Sequence, residues 1–221
     1  MLYPKIQSLY KRDGYDFKES GVKGSGKLML GCYSRPEFSI VIAWHVQEKI
    51  DGTNIRIIFE RNPVNGPTVS IGGRTENAMI PSPLLNHLRD TFTVEKLDKQ
   101  FSTSNFVVLF VEGIGPKIQS GGYYTKEPKF VLFDVFCSGW WLDMGAVQEV
   151  STALEVPYAP LVMLGPQTIF DIECFVRSRP NSLYATQQEH MMEGIVARPI
   201  FPLLFRNKEP VAFKLKCRDF D

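Results

Sequence analysis

The sequence predicts an α+β domain, on three observations. Residues 53 to 72 read as an antiparallel hairpin, residues 81 to 100 carry apolar side chains at helical spacing, and later strands and helices interrupt one another without βαβ alternation. With 221 residues and 44% apolar content, the chain can bury the core of one domain, expected over residues 1–221.

In chain order, residues 11 to 37 are rich in glycine and charge (Gly14, Gly21, Gly24, Gly26, Gly31), which predicts irregular structure before a first strand at about Ile40 to Val46. Thr53 to Glu60 alternates and is β-branched; Asn62-Pro63-Val64-Asn65-Gly66-Pro67 then turns the chain into a strand near Val69 to Gly72. Leu84, Leu85, Leu88 and Phe92 predict two short helices broken near Thr93. Strands are expected at Asn105 to Val111 and Lys129 to Cys137, and helices at Asp143 to Leu154 and Thr168 to Arg177, the second N-capped by Thr168 with Asp171 three residues on. Strands at Gly194 to Ile200 and Pro210 to Lys216 finish the pattern.

Lysine and arginine number 25 against 24 aspartates and glutamates, so any polyanion-binding surface must be a local patch. Cys32, Cys137, Cys174 and Cys217 lack CxxC spacing and His45, His87 and His190 are isolated from them, which argues against structural zinc and for buried free thiols in a reducing cytoplasm. No apolar run approaches about 18 residues and the N-terminus has no signal core, so neither membrane spanning nor secretion is expected.

The chemistry concentrates in Lys49-Ile50-Asp51-Gly52-Thr53-Asn54, a KxDGxN motif expected by chance in roughly one such sequence per thousand. A lysine attacks phosphorus only after losing its proton, through desolvation or nearby positive charge. Lys214 and Lys216 are two apart on a predicted strand and so face one side, where they supply that charge and neutralise phosphate, or form a solvated edge. Glu193 at a strand start offers a carboxylate to a divalent metal or to solvent. Glu112, at the expected end of a strand, is a candidate for ribose hydroxyls or the metal, or a surface turn. Arg74 after Gly72-Gly73 suits a guanidinium aimed at ribose or phosphate. Phe133 is either a core residue or a stacking partner for a base.

These segments occur in the order of one family. KIDGTN from Lys49, the arginine of GGRT, VEGIGPKIQ from Val111, FVLFDVF from Phe130, EGIVARP from Glu193 and AFKLK from Ala212 resemble nucleotidyltransferase motifs I, Ia, III, IIIa, IV and V. Asn54 in the first motif, the GPKIQ extension, YPKIQSLYKRD at the N-terminus and KLKCRDF at the C-terminus make the chain similar to ATP-dependent RNA ligases of the bacteriophage type.

The resemblance implies an adenylation domain of antiparallel sheets flanked by helices, an ATP-grasp-like ligase core that uses ATP and Mg2+, with Mn2+ as a substitute. It implies Lys49 as the residue that carries AMP, Glu48 near adenine, and Asn54, Arg74 and Glu112 around ribose and phosphate. Asp51 fits the general pattern of the first motif. Phe133 would stack on adenine, Glu193 would act with the metal, and Lys214 and Lys216 would contact the α-phosphate.

The expected partners are RNA ends or a nicked duplex, in the host cytoplasm if the chain is phage-encoded. The chain stops five residues after Lys216, so no oligonucleotide-binding-fold or separate C-terminal domain is expected, and an accessory protein or domain would position the ends. Lys117, Lys126 and Lys129 around Gly121 to Tyr124, with Arg198, Arg206, Lys208 and Arg218, would hold phosphates or form a solvated surface. The alternatives are a DNA ligase, a GTP-dependent capping guanylyltransferase, or a nucleic-acid-binding pseudoenzyme that keeps the fold without turnover.

Overall fold

The computed structural model describes residues 1–14, 25–187 and 189–221. Its elements begin with β1 (Gln7–Ser8), β2 (Tyr10–Arg12), β3 (Leu28–Tyr33), a 3-10 turn at Pro36–Ser39, β4 (Trp44–Glu48), β5 (Thr53–Asn62) and β6 (Gly66–Gly73). Then follow α1 (Ser82–Thr91), α2 (Val94–Gln100), β7 (Phe106–Ile114), β8 (Lys129–Cys137), β9 (Trp140–Trp141) and α3 (Met144–Ala153). The last elements are α4 (Ile169–Arg177), β10 (Gly194–Pro199) and β11 (Phe213–Lys216).

The chain folds into two compact units. The first comprises residues 1–4, 50–160 and 184–190. Its antiparallel sheet has the order β6-β5-β7-β8-β9. The hairpin between β5 and β6 forms as its sequence predicts: Asn62 Oδ1 accepts from the N–H groups of Val64 (2.8 Å) and Asn65 (3.2 Å), an Asx turn that reverses the chain. Alternation then sends Ile55, Ile57 and Phe59 to one face, where they pack with Leu84 and Leu88 of α1 and Leu97 of α2. The helical break at Thr93 is an N-cap, its hydroxyl accepting from Lys96 N–H at 3.3 Å.

The second unit comprises residues 5–49, 161–183 and 191–221. Its sheet has the order β1-β11-β10-β4; β1 runs parallel to β11, whereas the other pairs are antiparallel. Trp44, Val46, Ile195, Ala197, Phe213 and Leu215 pack with Ile172 and Val176 of α4. Thr168 and Asp171 close the expected capping box, each side chain accepting from the other's backbone N–H at 3.2 Å.

Four local expectations are corrected. The stretch from Ile40 is not a strand: Ile40 and Ile42 are 75% and 85% exposed, and pairing starts at Trp44, whose buried ring and backbone bonds to Gln167 anchor it. Part of residues 11 to 37 is regular, because β2 and β3 pair and Tyr10 stacks on Tyr33 at 5.5 Å; Gly21 and Gly24 lie outside the described residues. The last strand starts at Phe213, since Pro210 bridges to Leu204 instead. The thiols are not uniformly buried: Cys217 is buried, but Cys32 and Cys174 are exposed. Among the described residues, no helix is long and apolar enough to cross a membrane.

Candidate active site

In the second unit, three neighbouring strands bring the basic and acidic candidates to one end of the sheet. Lys49 directly follows β4, and its N–H donates to Gly194 O at 2.9 Å, which extends the pairing of β4 with β10 by one residue. Gly194 is in turn the register partner of Lys216 on β11. Glu193, immediately before β10, therefore lies between two lysines. Its Oε2 accepts from Lys49 Nζ at 2.5 Å and its Oε1 from Lys216 Nζ at 2.5 Å. The three side chains are 14–25% exposed, so solvent screens this pairing less than at an open surface.

Lys214 shares the face of Lys216, because the side chain of Leu215 between them enters the core. Burial, reinforced by the charges of Lys49, Lys216 and Lys5, lowers the Lys214 pKa to about 8, with Glu193 acting in the other direction. Lys49 and Lys216 on a single carboxylate, with Lys214 beside them, leave an excess of positive charge, the electrostatics of a phosphate site. Lys5 was not identified from the sequence. Parallel pairing of β1 with β11, Ser8 opposite Lys214, brings its segment there, and no local pattern encodes that pairing.

Glycine at position 194 is required by this packing. With φ at +154°, an added Cβ would lie 2.1 Å from Leu215 O and 2.6 Å from Lys216 Cα. Gly194→Ala must push β10 from β11 where Glu193 and Lys216 meet, and is expected to cost about 3 kcal/mol of stability in urea unfolding.

Glu48 is 3% exposed and accepts from Ser182 Oγ at 2.5 Å and Leu183 N–H at 2.9 Å. It thus anchors the segment after α4.

In the first unit, Asn54 on β5 and Glu112 on β7 are cross-strand partners. Glu112 is not at a strand end as expected, because β7 continues to Ile114. Asn54 Oδ1 is buried and has no hydrogen-bond partner among the described residues, an acceptor that needs a donor. A ribose hydroxyl or the water shell of a hard cation fits this pair of oxygen-bearing side chains. Gly52 explains the glycine of the motif: a Cβ there would lie 2.3 Å from Gly113 O. Asp51 N–H donates to Tyr124 Oη at 3.3 Å. Burial lowers the His190 pKa, opposed by Asp51.

Phe133 is the inserted residue of a β-bulge, since Phe110 pairs with Asp134 and Val111 with Leu132. It is half-buried and flanks two apolar clusters, so the alternatives of core and stacking residue meet in one side chain. Arg74 is exposed just beyond β6. A cavity of about 640 Å3 lies between β6 and α1 and contains none of the four residues of the lysine cluster. Of the other basic residues, Lys117, Lys126, Lys129, Arg206, Lys208 and Arg218 are exposed, whereas Arg198 is 8% exposed on β10.

A family model described as RNA ligase matches residues 42–216. Solved structures of the Naegleria gruberi RNA ligase share the fold. A ligand-free point mutant is 20% identical with a TM-score of 0.60, over 82% of this chain and 51% of that one. A lysine mutant with ATP and Mn is 19% identical with a TM-score of 0.59, over 82% and 52%. Another lysine mutant with ATP and Mn is 16% identical with a TM-score of 0.61, over 98% of this chain and 60% of that one. The chain thus spans about half the length of the first two structures and 60% of the third. The comparison with curated proteins finds no match. The family match begins before the KxDGxN lysine and ends at Lys216 of the cluster, and it takes in most of the chain, which belongs to the RNA ligase family.

Proposed function

We propose that the chain is an ATP-dependent RNA ligase that joins 3′-hydroxyl and 5′-phosphate ends through a lysyl-AMP intermediate. The observation that supports this reading most directly is the pairing of both Lys49 and Lys216 with Glu193, beside a Lys214 that is cationic at neutral pH with a pKa of about 8. Two further facts accord with it: the family match, and the ATP and Mn named with the Naegleria structures.

In the first step, Lys49 Nζ forms a bond to the α-phosphorus of ATP as the bond to pyrophosphate breaks. Glu193, already at 2.5 Å from Lys49 Nζ, is placed to take up or orient the proton released there. Lys214 and Lys216 offset the charge on the α-phosphate. In the second step, a 5′-phosphate oxygen attacks the AMP phosphorus and the P–N bond breaks. In the third, a 3′-hydroxyl attacks the 5′-phosphate and AMP leaves. Positioning and charge neutralisation carry most of the rate.

Asn54, Glu112 and Arg74 are assigned to ribose and phosphate, Phe133 and Glu48 to the adenine end, and Asp51 to nucleotide binding as part of the first motif. A divalent ion, Mg2+ or Mn2+, would be held by Glu193 or Glu112, and supplies Lewis-acid stabilisation of phosphoryl oxygens. Asn54 and the Gly115–Gln119 segment favour the bacteriophage type. The chain is read as the adenylation domain, with RNA ends or a nicked duplex as substrate.

The test is a panel of 5′-phosphorylated RNA, DNA and hybrid substrates with labelled ATP or GTP, scored for protein adduct, adenylylated end and sealed product. AMP adduct and RNA end adenylylation are expected. A GMP adduct, or no adduct with RNA still bound, would overturn the ligase reading.

A further inference from the structure

The β5 face opposite the main core carries Asn54, Arg56 and Ile58, and Phe110 of β7 pairs with Arg56 on it. The N-terminal residues 1–4, part of the same unit, lie against this face. The Tyr3 ring meets Phe110 at 4.8 Å, Phe133 at 5.1 Å and Trp141 at 5.7 Å, each edge-on. Its hydroxyl donates to Asp134 Oδ2 at 2.9 Å. Asp134 is 2% exposed, and its other oxygen accepts from Val135 N–H at 3.0 Å. Two residues before Tyr3, the Met1 carbonyl accepts from Arg56 Nη1 at 2.9 Å, while Arg56 Nε donates to Gly73 O at 2.9 Å. Arg56 is only 3% exposed, so the segment is tied to a fixed point.

These contacts converge on the bulge. A bulge residue sits outside the regular ladder, and its side-chain direction is set by packing more than by pleat. Tyr3 supplies part of that packing for Phe133, beside Phe110: it closes one flank of the ring edge-on, at 88°, and its hydroxyl holds the neighbouring Asp134. A ring held in one orientation loses less conformational freedom when a base stacks on it.

We propose that Tyr3 is a positioning residue for nucleotide binding: with Asp134 it locks the β8 bulge so that Phe133 presents a fixed ring to the base of ATP. This rests on the reading of Phe133 as the base-stacking residue. An edge-to-face aromatic contact is worth enough to change affinity roughly three- to tenfold.

The test is calorimetric binding of ATP and of inorganic tripolyphosphate at fixed Mg2+, in Lys49→Ala protein so that no adduct forms. Tyr3→Ala, Phe133→Ala and the double variant are compared with that parent. Phe133→Ala is expected to weaken ATP about tenfold and Tyr3→Ala roughly three- to tenfold. Neither should change tripolyphosphate binding, and the double variant should bind ATP no more weakly than Phe133→Ala. Unchanged ATP affinity in Tyr3→Ala, equal loss for tripolyphosphate, or additive effects in the double variant would overturn the positioning role while leaving the stacking role of Phe133 intact. Unchanged ATP affinity in Phe133→Ala would overturn the stacking reading and this proposal with it. If Tyr3→Ala fails to fold, Tyr3→Leu keeps apolar bulk without the ring, and the same outcomes decide.

Discussion

Lys49→Ala is expected to lower formation of the protein–AMP adduct at least about a thousandfold, because it removes the amine proposed to attack the α-phosphorus. The fold should survive. Removing Lys49 leaves Glu193 paired with Lys216 at 2.5 Å, so no buried charge is stranded, and the change in stability should stay within about 1 kcal/mol. Labelled ATP followed by denaturing electrophoresis reads the adduct, and thermal unfolding reads the fold. Sealing of RNA already carrying AMP at its 5′ end should continue, since the third step does not use the lysine as nucleophile. An adduct that persists in Lys49→Ala would assign the nucleophile elsewhere.

Lys214 should give the reaction an alkaline limit. A lysine contributes charge only when protonated, and the Lys214 pKa is lowered from 10.5 to about 8, chiefly by burial and then by Lys49, Lys216 and Lys5. Below about pH 8 it can neutralise the α-phosphate; above, that charge is lost, and kcat/KM for ATP in self-adenylylation is expected to fall towards tenfold per pH unit. Lys214→Arg retains a permanent cation and should abolish this limb. Lys214→Ala should be slower by about a hundredfold or more below pH 8.

Stability responds with the opposite sign. Between about pH 8 and 10.5 the unfolded chain holds the Lys214 proton more tightly than the folded one, so this group makes the fold more stable as pH rises. Loss of rate above pH 8 with no fall in melting temperature would therefore separate catalysis from unfolding. An unaltered limb in Lys214→Arg would assign it to another group.

The elements that sequence patterns locate well are those whose signals are local. The β5–β6 hairpin is announced by Asn62 and Gly66 and by alternation of Ile55, Ile57 and Phe59; α4 is announced by Thr168 and Asp171, which cap it within four residues. Signals that depend on distant partners mislead. Ile40 and Ile42 look like strand residues but are exposed, and β1, only two residues long, exists because β11 lies beside it. The bulge at Phe133 depends likewise on the register of β7 against β8, and a continuous apolar run such as Phe130 to Phe133 does not reveal an inserted residue.

The same division holds for the site. Lys49, Glu193, Lys214 and Lys216 are legible as candidates because the lysine of a KxDGxN motif, a carboxylate and two lysines on one strand face are defined by residue type and short spacing. That both Lys49 and Lys216 meet the one carboxylate of Glu193, that the charge of Lys5 acts on Lys214, and that the charge of Lys214 becomes titratable near pH 8 are decided only by the tertiary structure. The physical reason is that chemical type is a property of single residues, whereas desolvation and charge proximity arise only when strands remote in sequence pair.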